Sequence, residues 1–254
     1  MNKFYLTGDI HGQITPIVNF AIDHPGDSII ILGDAGLNYY GDSSDEARKA
    51  KLAQLPINIY CVRGNHEMRP EDVPGIGTIY DGRTQNYCYW EDQYPNIFYF
   101  MDGEVYTIND KSCLVIGGAY SVDKWYRLER HYEWFENEQL SCDEMNYIYN
   151  KYKGKHFDCI LSHTCPWSWQ PTDLFLRGLD QSTVDSTMEV WMDEFRKAIT
   201  FDAWCFAHYH TNRDIIDSNV PCDYKNPHQI ILFDKVINFL DIFTNKKIFL
   251  DKNN

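Results

Sequence analysis

Five times along the chain a short apolar run ends in polar, often glycine-flanked residues of the kinds that bind metal ions. The segments are Thr7-Gly8-Asp9-Ile10-His11-Gly12, Leu32-Gly33-Asp34-Ala35-Gly36, Arg63-Gly64-Asn65-His66-Glu67, Leu161-Ser162-His163 and Ala207-His208-Tyr209-His210. A short all-apolar run such as Ser28–Leu32 reads as a strand buried on both faces, as in a parallel sheet covered by helices. In an open α/β sheet, ligands bind beyond the carboxyl ends of the strands. The recurrence therefore points to an α/β fold whose strand ends deliver Asp, His and Asn to one place.

The rest of the pattern agrees. Lys3–Thr7 reads as a strand and Ile14–Asp23 as a helix, with Ile14, Ile17, Val18, Ala21 and Ile22 at helical spacing. Ser43–Leu55 is a second helix, capped by Ser43 or Ser44 and closed by Pro56, with acids in its first turn and bases later. Ile57–Val62 is the third strand. Gly77–Asn109, rich in Tyr, Phe and turn residues, reads as antiparallel strands turning at Asp81-Gly82 and Asp102-Gly103. Ser112–Gly117 is a buried strand, and Asp123–Tyr152 a charged, aromatic, mostly helical insertion. Phe157–Leu161 and Ala203–Phe206 are strands, Ser186–Ile199 a helix between them, and Gln229–Leu250 a set of antiparallel strands. With no repeat and no linker composition, residues 1–254 read as a single domain with an insertion near 120–155.

Composition excludes several classes. The 254 residues are 44% apolar, enough for a sizeable core, and nothing is low-complexity. The N-terminus enters a strand pattern at once, and no apolar run approaches the roughly 20 residues of a membrane span. A cytoplasmic protein with no membrane partner is expected. Cys61, Cys113, Cys159 and Cys205 sit inside apolar runs, so buried free thiols are expected rather than a disulfide frame; there is no CxxC pair for a thiolate zinc site. The net charge of −14 repels phosphate backbones, which weighs against a nucleic-acid partner, yet bound dications reverse the field locally.

Asp9 and His11 are two apart, as are His208 and His210, and residues two apart in extended chain face the same side. Glycines at 8, 12, 33, 36 and 64 permit sharp turns and close approach. Imidazole, carboxylate and amide-oxygen donors together suit Mn, Fe or Zn better than Ca. Singly, Asp9 is also a turn or cap residue, His163 a hydrogen-bonded core histidine, and Asn65 a turn former. Five such segments, each after a buried strand, are not explained by turn chemistry.

These blocks, taken in order, resemble the calcineurin-like metallophosphoesterase superfamily with its GDxHG, GDxG, GNHE, H and GHxH motifs. The resemblance runs from Asp9 to His210, about four-fifths of the chain, and departs only in having Ala207 where Gly is usual. It implies a four-layer α/β/β/α sandwich and two divalent metals (Mn, Fe, Zn or Ni). By block matching, Asp9, His11 and His210 would hold the first metal, and Asn65, His163 and His208 the second. Asp34 would bridge them, and His66 would face the substrate.

The expected reaction is hydrolysis of a phosphate mono- or diester by a metal-bridging hydroxide, generated between dications about 3.5–4 Å apart. His66, beside Asn65, is the expected general acid. Arg63 is the expected substrate-binding residue, its guanidinium gripping phosphate in a forked geometry; the alternative is a surface ion pair. The Arg-Gly-Asn-His-Glu string resembles the protein Ser/Thr phosphatase branch, but that branch's Asp-Arg-Gly continuation is replaced by Asp34-Ala35-Gly36, leaving His66 without an identified acidic partner. Lys124, Arg127 and Arg130 are further candidates for phosphate contact, with Trp125, Tyr126 and Trp167–Gln170 as candidate walls; equally, these belong to helices packing aromatics on the core. His24, His131, His156 and His228 read as surface or structural, and Glu133, Glu136 and Glu138 as a solvated face. The substrate is expected to be a phosphorylated small molecule, a nucleotide or a phosphoprotein. Competing readings are a non-catalytic phosphate- or nucleotide-binding module and a nuclease; the acidic balance weighs against the last.

Overall fold

Every residue of Ser28–Leu32 is buried, so this strand needs a packed layer on each face. The computed structural model, which describes residues 2–175, 182–216, 228–244 and 247–249, supplies both layers. The leading run is β1 (Phe4–Thr7), α1 (Thr15–Asp23), β2 (Ser28–Leu32), α2 (Ser43–Leu52) and β3 (Asn58–Val62). Next come β4 (Gly77–Asp81), β5 (Asn86–Trp90), β6 (Ile97–Tyr99), β7 (Val105–Ile108) and β8 (Lys111–Ile116). They are followed by α3 (Lys124–Arg130), α4 (Cys142–Tyr152), β9 (His156–Ser162), α5 (Thr187–Ala198) and β10 (Thr200–Phe206), then β11 (Arg213–Ile216), β12 (His228–Ile231) and β13 (Ile237–Asn238).

The strands form two mixed sheets, ordered β13-β1-β2-β3-β6-β5-β4 and β11-β12-β10-β9-β8-β7. Their centres are parallel and their edges antiparallel. Side-chain alternation along the strands builds three apolar cores. Ile30 and Leu32 point between the sheets, toward Val115, Leu161 and Cys205. Ile29 and Ile31 point outward, to Ile17, Phe20 and Ala21 of α1. On the second sheet Ile160, Trp204 and Phe206 point outward, to Met145 and Ile148 of α4 and Met188, Met192 and Phe195 of α5. The result is a four-layer α/β/β/α sandwich.

Several elements differ from the sequence reading. Asp42, not Ser43 or Ser44, caps α2: its side chain accepts from Ser44 N–H, and the helix ends at Leu52, ahead of Pro56. Gly77–Asn109 is not one antiparallel set. β6 runs parallel to β3, while β7 crosses to the second sheet and pairs with β8. The helical insertion is shorter than 120–155, because α4, started by a Ser141/Glu144 capping box, belongs to the outer layer. In the tail β12 is parallel to β10, β13 is antiparallel to β1, and Phe239–Phe243 is a 3-10 helix; residues 245, 246 and 250 lie outside the described ones. Cys61, Cys113, Cys159 and Cys205 are buried free thiols. No helix among the described residues is long and apolar enough to cross a membrane.

Candidate metal centre

The carboxyl ends of β1, β2, β3, β9 and β10 meet at one edge of the sandwich, where backbone bonds join the two sheets. Gly8 N–H donates to Phe233 O (3.2 Å) and Gly118 N–H to Arg63 O (2.7 Å), while within the second sheet Ala207 N–H donates to His163 O (2.9 Å). His11 N–H and Gly12 N–H donate to Asp34 O and Ala35 O, locking the first two motif loops together. Two glycines are sterically required. A Cβ at Gly33, whose φ is +98°, would lie 2.1 Å from His163 Nδ1, and one at Gly64 would lie 2.0 Å from Asp34 Oδ1. Left-handed backbone is concentrated here too: His11, Asp34, His208 and His210 have φ of 44°, 49°, 66° and 48°. Non-glycine residues in that region cost on the order of 1–3 kcal/mol each and cluster at functional sites.

All seven residues that the motifs single out are brought together. His11 Nε2 lies 3.0 Å from His210 Nε2, and Asp9 Oδ2 lies 3.2 Å from His210 Nε2 and 3.8 Å from His11 Nε2. Asp34 Oδ2 is 3.5 Å from His163 Nε2 and 3.9 Å from His11 Nδ1, between the two groups. His163 Nε2 is 2.9 Å from Asn65 Oδ1. The His208 ring sits 5.0 Å from that of His163, and the backbone N–H of His208 donates to Asp9 Oδ1 (3.1 Å). Asp9, Asp34, Asn65 and His163 are buried, whereas His11 and His210 are exposed, so the cluster opens to solvent on their side.

The donor set fits cations. Asp9 Oδ2 is buried and accepts no hydrogen bond, although His210 stands beside it. His163 Nδ1–H donates to Leu32 O (2.8 Å), which turns the Nε2 lone pair toward the oxygens of Asn65 and Asp34. Acceptors facing acceptors need positive charge between them. Ligand atoms about 2.1 Å from one ion at 90–110° to each other are about 3.0–3.4 Å apart, which matches the His11–His210 and His210–Asp9 spacings (3.0 and 3.2 Å), the His11–Asp9 edge being wider at 3.8 Å. Without a cation, the cluster's own histidines offset its carboxylates. Burial opposes charge on Asp34, but His163, His66 and His11 outweigh it and hold this carboxyl far below its usual range. Burial likewise opposes charge on His163, but Asp34 and Asp9 raise it to about 9. His208 is pushed down to about 3 by burial and by His163.

Around this cluster, a further set of residues fixes the ligands. Asn65 Nδ2–H donates to Ser121 Oγ (2.9 Å), and Ser121 Oγ–H and N–H donate to the two oxygens of Glu138 (2.5 and 2.9 Å). This chain directs Asn65 Oδ1 into the cluster. Glu138 is therefore a buried anchor and not part of a solvated face; the exposed acids around it in sequence gave no sign of that. Glu67 Oε1 accepts from Gly64 N–H (2.7 Å) and holds the third motif loop; burial and the nearby Asp34 raise its carboxyl to about 7.

The structure corrects the reading of Arg63. It is 3% exposed: Nε donates to Asp102 Oδ2 (2.8 Å), Nη1 to Glu138 O (2.5 Å) and Nη2 to Gly117 O (3.1 Å). All its nitrogens are engaged inside the protein, so it joins loops and offers no fork to a phosphate. Arg127, by contrast, stands beside His66. Nε is held by both Asp123 oxygens (2.9 Å each), Nη1 by Tyr39 Oη (3.1 Å) and Glu133 O (2.8 Å), and Nη2 contacts His66 Nδ1. His66 thus faces a guanidinium held by Asp123, not an acid, while its Nε2 lies 4.0 Å from Asp34 Oδ2. Trp125 and Tyr126 are exposed rather than packed on the core, whereas Trp169 packs edge-on against Trp204. His24 stacks on Phe20, and His228 is buried against Ile242 O and Asp214, both structural positions.

A cleft of about 190 Å³ opens over the cluster between His11, His66, Tyr39 and Arg127. A larger open groove, about 990 Å³, shares no lining residue with it and is bordered by Glu71, Asp72, Glu136, Glu144 and Asp185, an unsuitable wall for a phosphate.

A model of the calcineurin-like phosphoesterase family matches residues 2–212, and the chain belongs to this family. It thereby falls among the metal-dependent phosphoesterases. No curated protein matches it. Among solved structures, phosphopantetheinyl hydrolase from Mycobacterium tuberculosis matches at 12% identity with a TM-score of 0.44, over 91% of this chain and 89% of that one.

Proposed function

We propose that this protein is a dinuclear phosphoesterase that hydrolyses phosphate esters at the cluster of Asp9, His11, Asp34, Asn65, His163, His208 and His210. The observation that carries the reading is the pair of buried carboxylates, Asp9 and Asp34, surrounded by imidazoles and with no Lys or Arg partner among the described ion pairs. Asp9, His11 and His210 would hold one ion, and Asn65, His163 and His208 the other, with Asp34 shared. The donor set suits Mn, Fe, Zn or Ni. When bound, two such cations lower the pKa of water between them and offset phosphoryl charge.

The remaining steps belong to the chain. Arg127, fixed by Asp123 and Tyr39, offers Nη2 to a phosphoryl oxygen at the cleft floor. Before substrate binds, a guanidinium can only donate to His66 Nδ1, so Nε2 carries the imidazole proton. Burial and Arg127 hold the pKa of His66 down, against the pull of Asp34. Once a phosphoryl group draws Arg127 away, Nδ1 is free to take a second proton, and His66 can protonate the departing oxygen from Nε2. The free buried thiols favour a reducing compartment, the cytoplasm.

The test is release of p-nitrophenol from its mono- and bis-phosphate esters by protein loaded with Mn. Turnover of either supports the reading; no turnover of both, with metal bound, favours a non-catalytic binding module. His66→Ala is expected to retain metal and lose on the order of 10²-fold or more in kcat.

A further inference from the structure

In a chain with 37 acidic and 23 basic side chains, the cleft over the metal cluster is lined by two arginines and by no carboxylate. The two guanidiniums come from different elements and differ in what they have left to give. Arg127 is engaged at Nε and Nη1, and its Nη2 is directed at His66. Arg48, from α2, donates only Nη1, to Asp45 Oδ1 (2.9 Å); its Nε and Nη2 have no hydrogen-bond partner among the described residues.

Arg48 is nonetheless held in place. Asp45 Oδ2 accepts from the N–H groups of Tyr40 (2.7 Å) and Gly41 (2.8 Å), so one carboxylate ties Arg48 to the loop that forms the cleft's rim. The guanidinium carbon sits 5.5 Å from the centroid of the Tyr40 ring, and Arg127 stands at the same distance from Tyr39. A Cβ at Gly12, whose φ is +72°, would come 2.9 Å from Arg48 Nε, so this motif glycine leaves room for the side chain beside His11. The cleft therefore presents one engaged guanidinium at the reacting end and one with free donors farther out, each beside a tyrosine.

We propose that Arg48 and Tyr40 form a subsite for a second anionic group, a carboxylate or a further phosphate, on the leaving-group side of the substrate. The substrate class is then a compact phosphate ester bearing a second anion, and Arg48 is a specificity-determining residue. The proposal rests on the phosphoesterase reading above for the position of the scissile phosphate.

Two arms test it. On Mn-loaded protein, kcat/KM is compared for phenyl phosphate, for 3- and 4-carboxyphenyl phosphate and for 1,4-phenylene bisphosphate. A second anion is expected to raise kcat/KM about tenfold or more, the range of one charge-assisted hydrogen bond. Arg48→Gln is expected to abolish that gain and leave phenyl phosphate unchanged. The bisphosphate separates a phosphate-selective from a carboxylate-selective subsite, and either preference supports the proposal. In the second arm, calorimetry compares binding of phenylphosphonate with that of its 3- and 4-carboxy derivatives. At least one doubly anionic ligand is expected to bind about tenfold tighter to the parent and equally to Arg48→Gln. No preference for any doubly charged ligand in the parent, or an Arg48→Gln change that affects all ligands alike, overturns the subsite. Failure of every ester to turn over, with the calorimetric preference intact, would count against hydrolysis and leave the subsite standing.

Discussion

Asp34, 1% exposed, must find positive charge, and among the described residues it finds imidazoles: His163, His11 and His66. Arg63 shows the opposite arrangement, a buried cation with a full set of partners. Arg63→Ala would leave Asp102 and two carbonyls without their donor. It is expected to destabilise the fold by about 3 kcal/mol or more, measured by urea unfolding; a loss well under 1 kcal/mol would return Arg63 to the surface-ion-pair reading. Glu189 of α5 gives a pH prediction. Burial raises its carboxyl from the usual 4.5 to about 7; Oε1 accepts from Thr164 Oγ1 (3.0 Å) and Oε2 has no partner. Between those pH values the folded chain keeps a proton that the unfolded chain releases, so stability falls as pH rises through that window. Glu189→Gln cannot release a proton, so its advantage over the parent is expected to grow from pH 4 to 8, by up to about 3 kcal/mol. A constant difference across that range would show that Glu189 does not titrate there. The candidate ligands were legible in the sequence because each follows an apolar strand within one to four residues. The engagement of Arg63 was not, since its ion-pair partner Asp102 lies 39 residues away.

At the scale of elements, the stretch between β8 and α4 connects the cleft to the cluster. It contributes Arg127 to the cleft, with Asp123 holding that guanidinium from behind, and Ser121 and Glu138 behind Asn65. Ser121→Ala removes the acceptor that orients the Asn65 amide. It is expected to weaken metal binding by about 10–100-fold in a chelator-competition titration while the fold is retained. A change of less than twofold would show that Asn65 is held by other contacts. The buried parallel strands could be read because they are apolar at every position. The pairing of β6 and β7 could not, because antiparallel edges of two sheets look alike in sequence and only tertiary packing decides which sheet takes each. The spacing of Met145, Ile148 and Tyr152 along one face of α4 was visible, but the surrounding charges suggested an excursion where the chain builds its fourth layer.

At the scale of the whole molecule, two sheets meet at one edge and bring together residues from Asp9 to His210. The net charge of −14 lies elsewhere on the surface, and the cleft over the centre is edged by arginines. The most direct test is anomalous diffraction at the manganese edge from crystals grown with Mn. The account predicts two peaks about 3.5–4 Å apart, both at coordinating distance from Asp34, one beside Asp9 and His210 and the other beside Asn65 and His163. A single peak, or peaks away from Asp34, would contradict a shared two-metal centre.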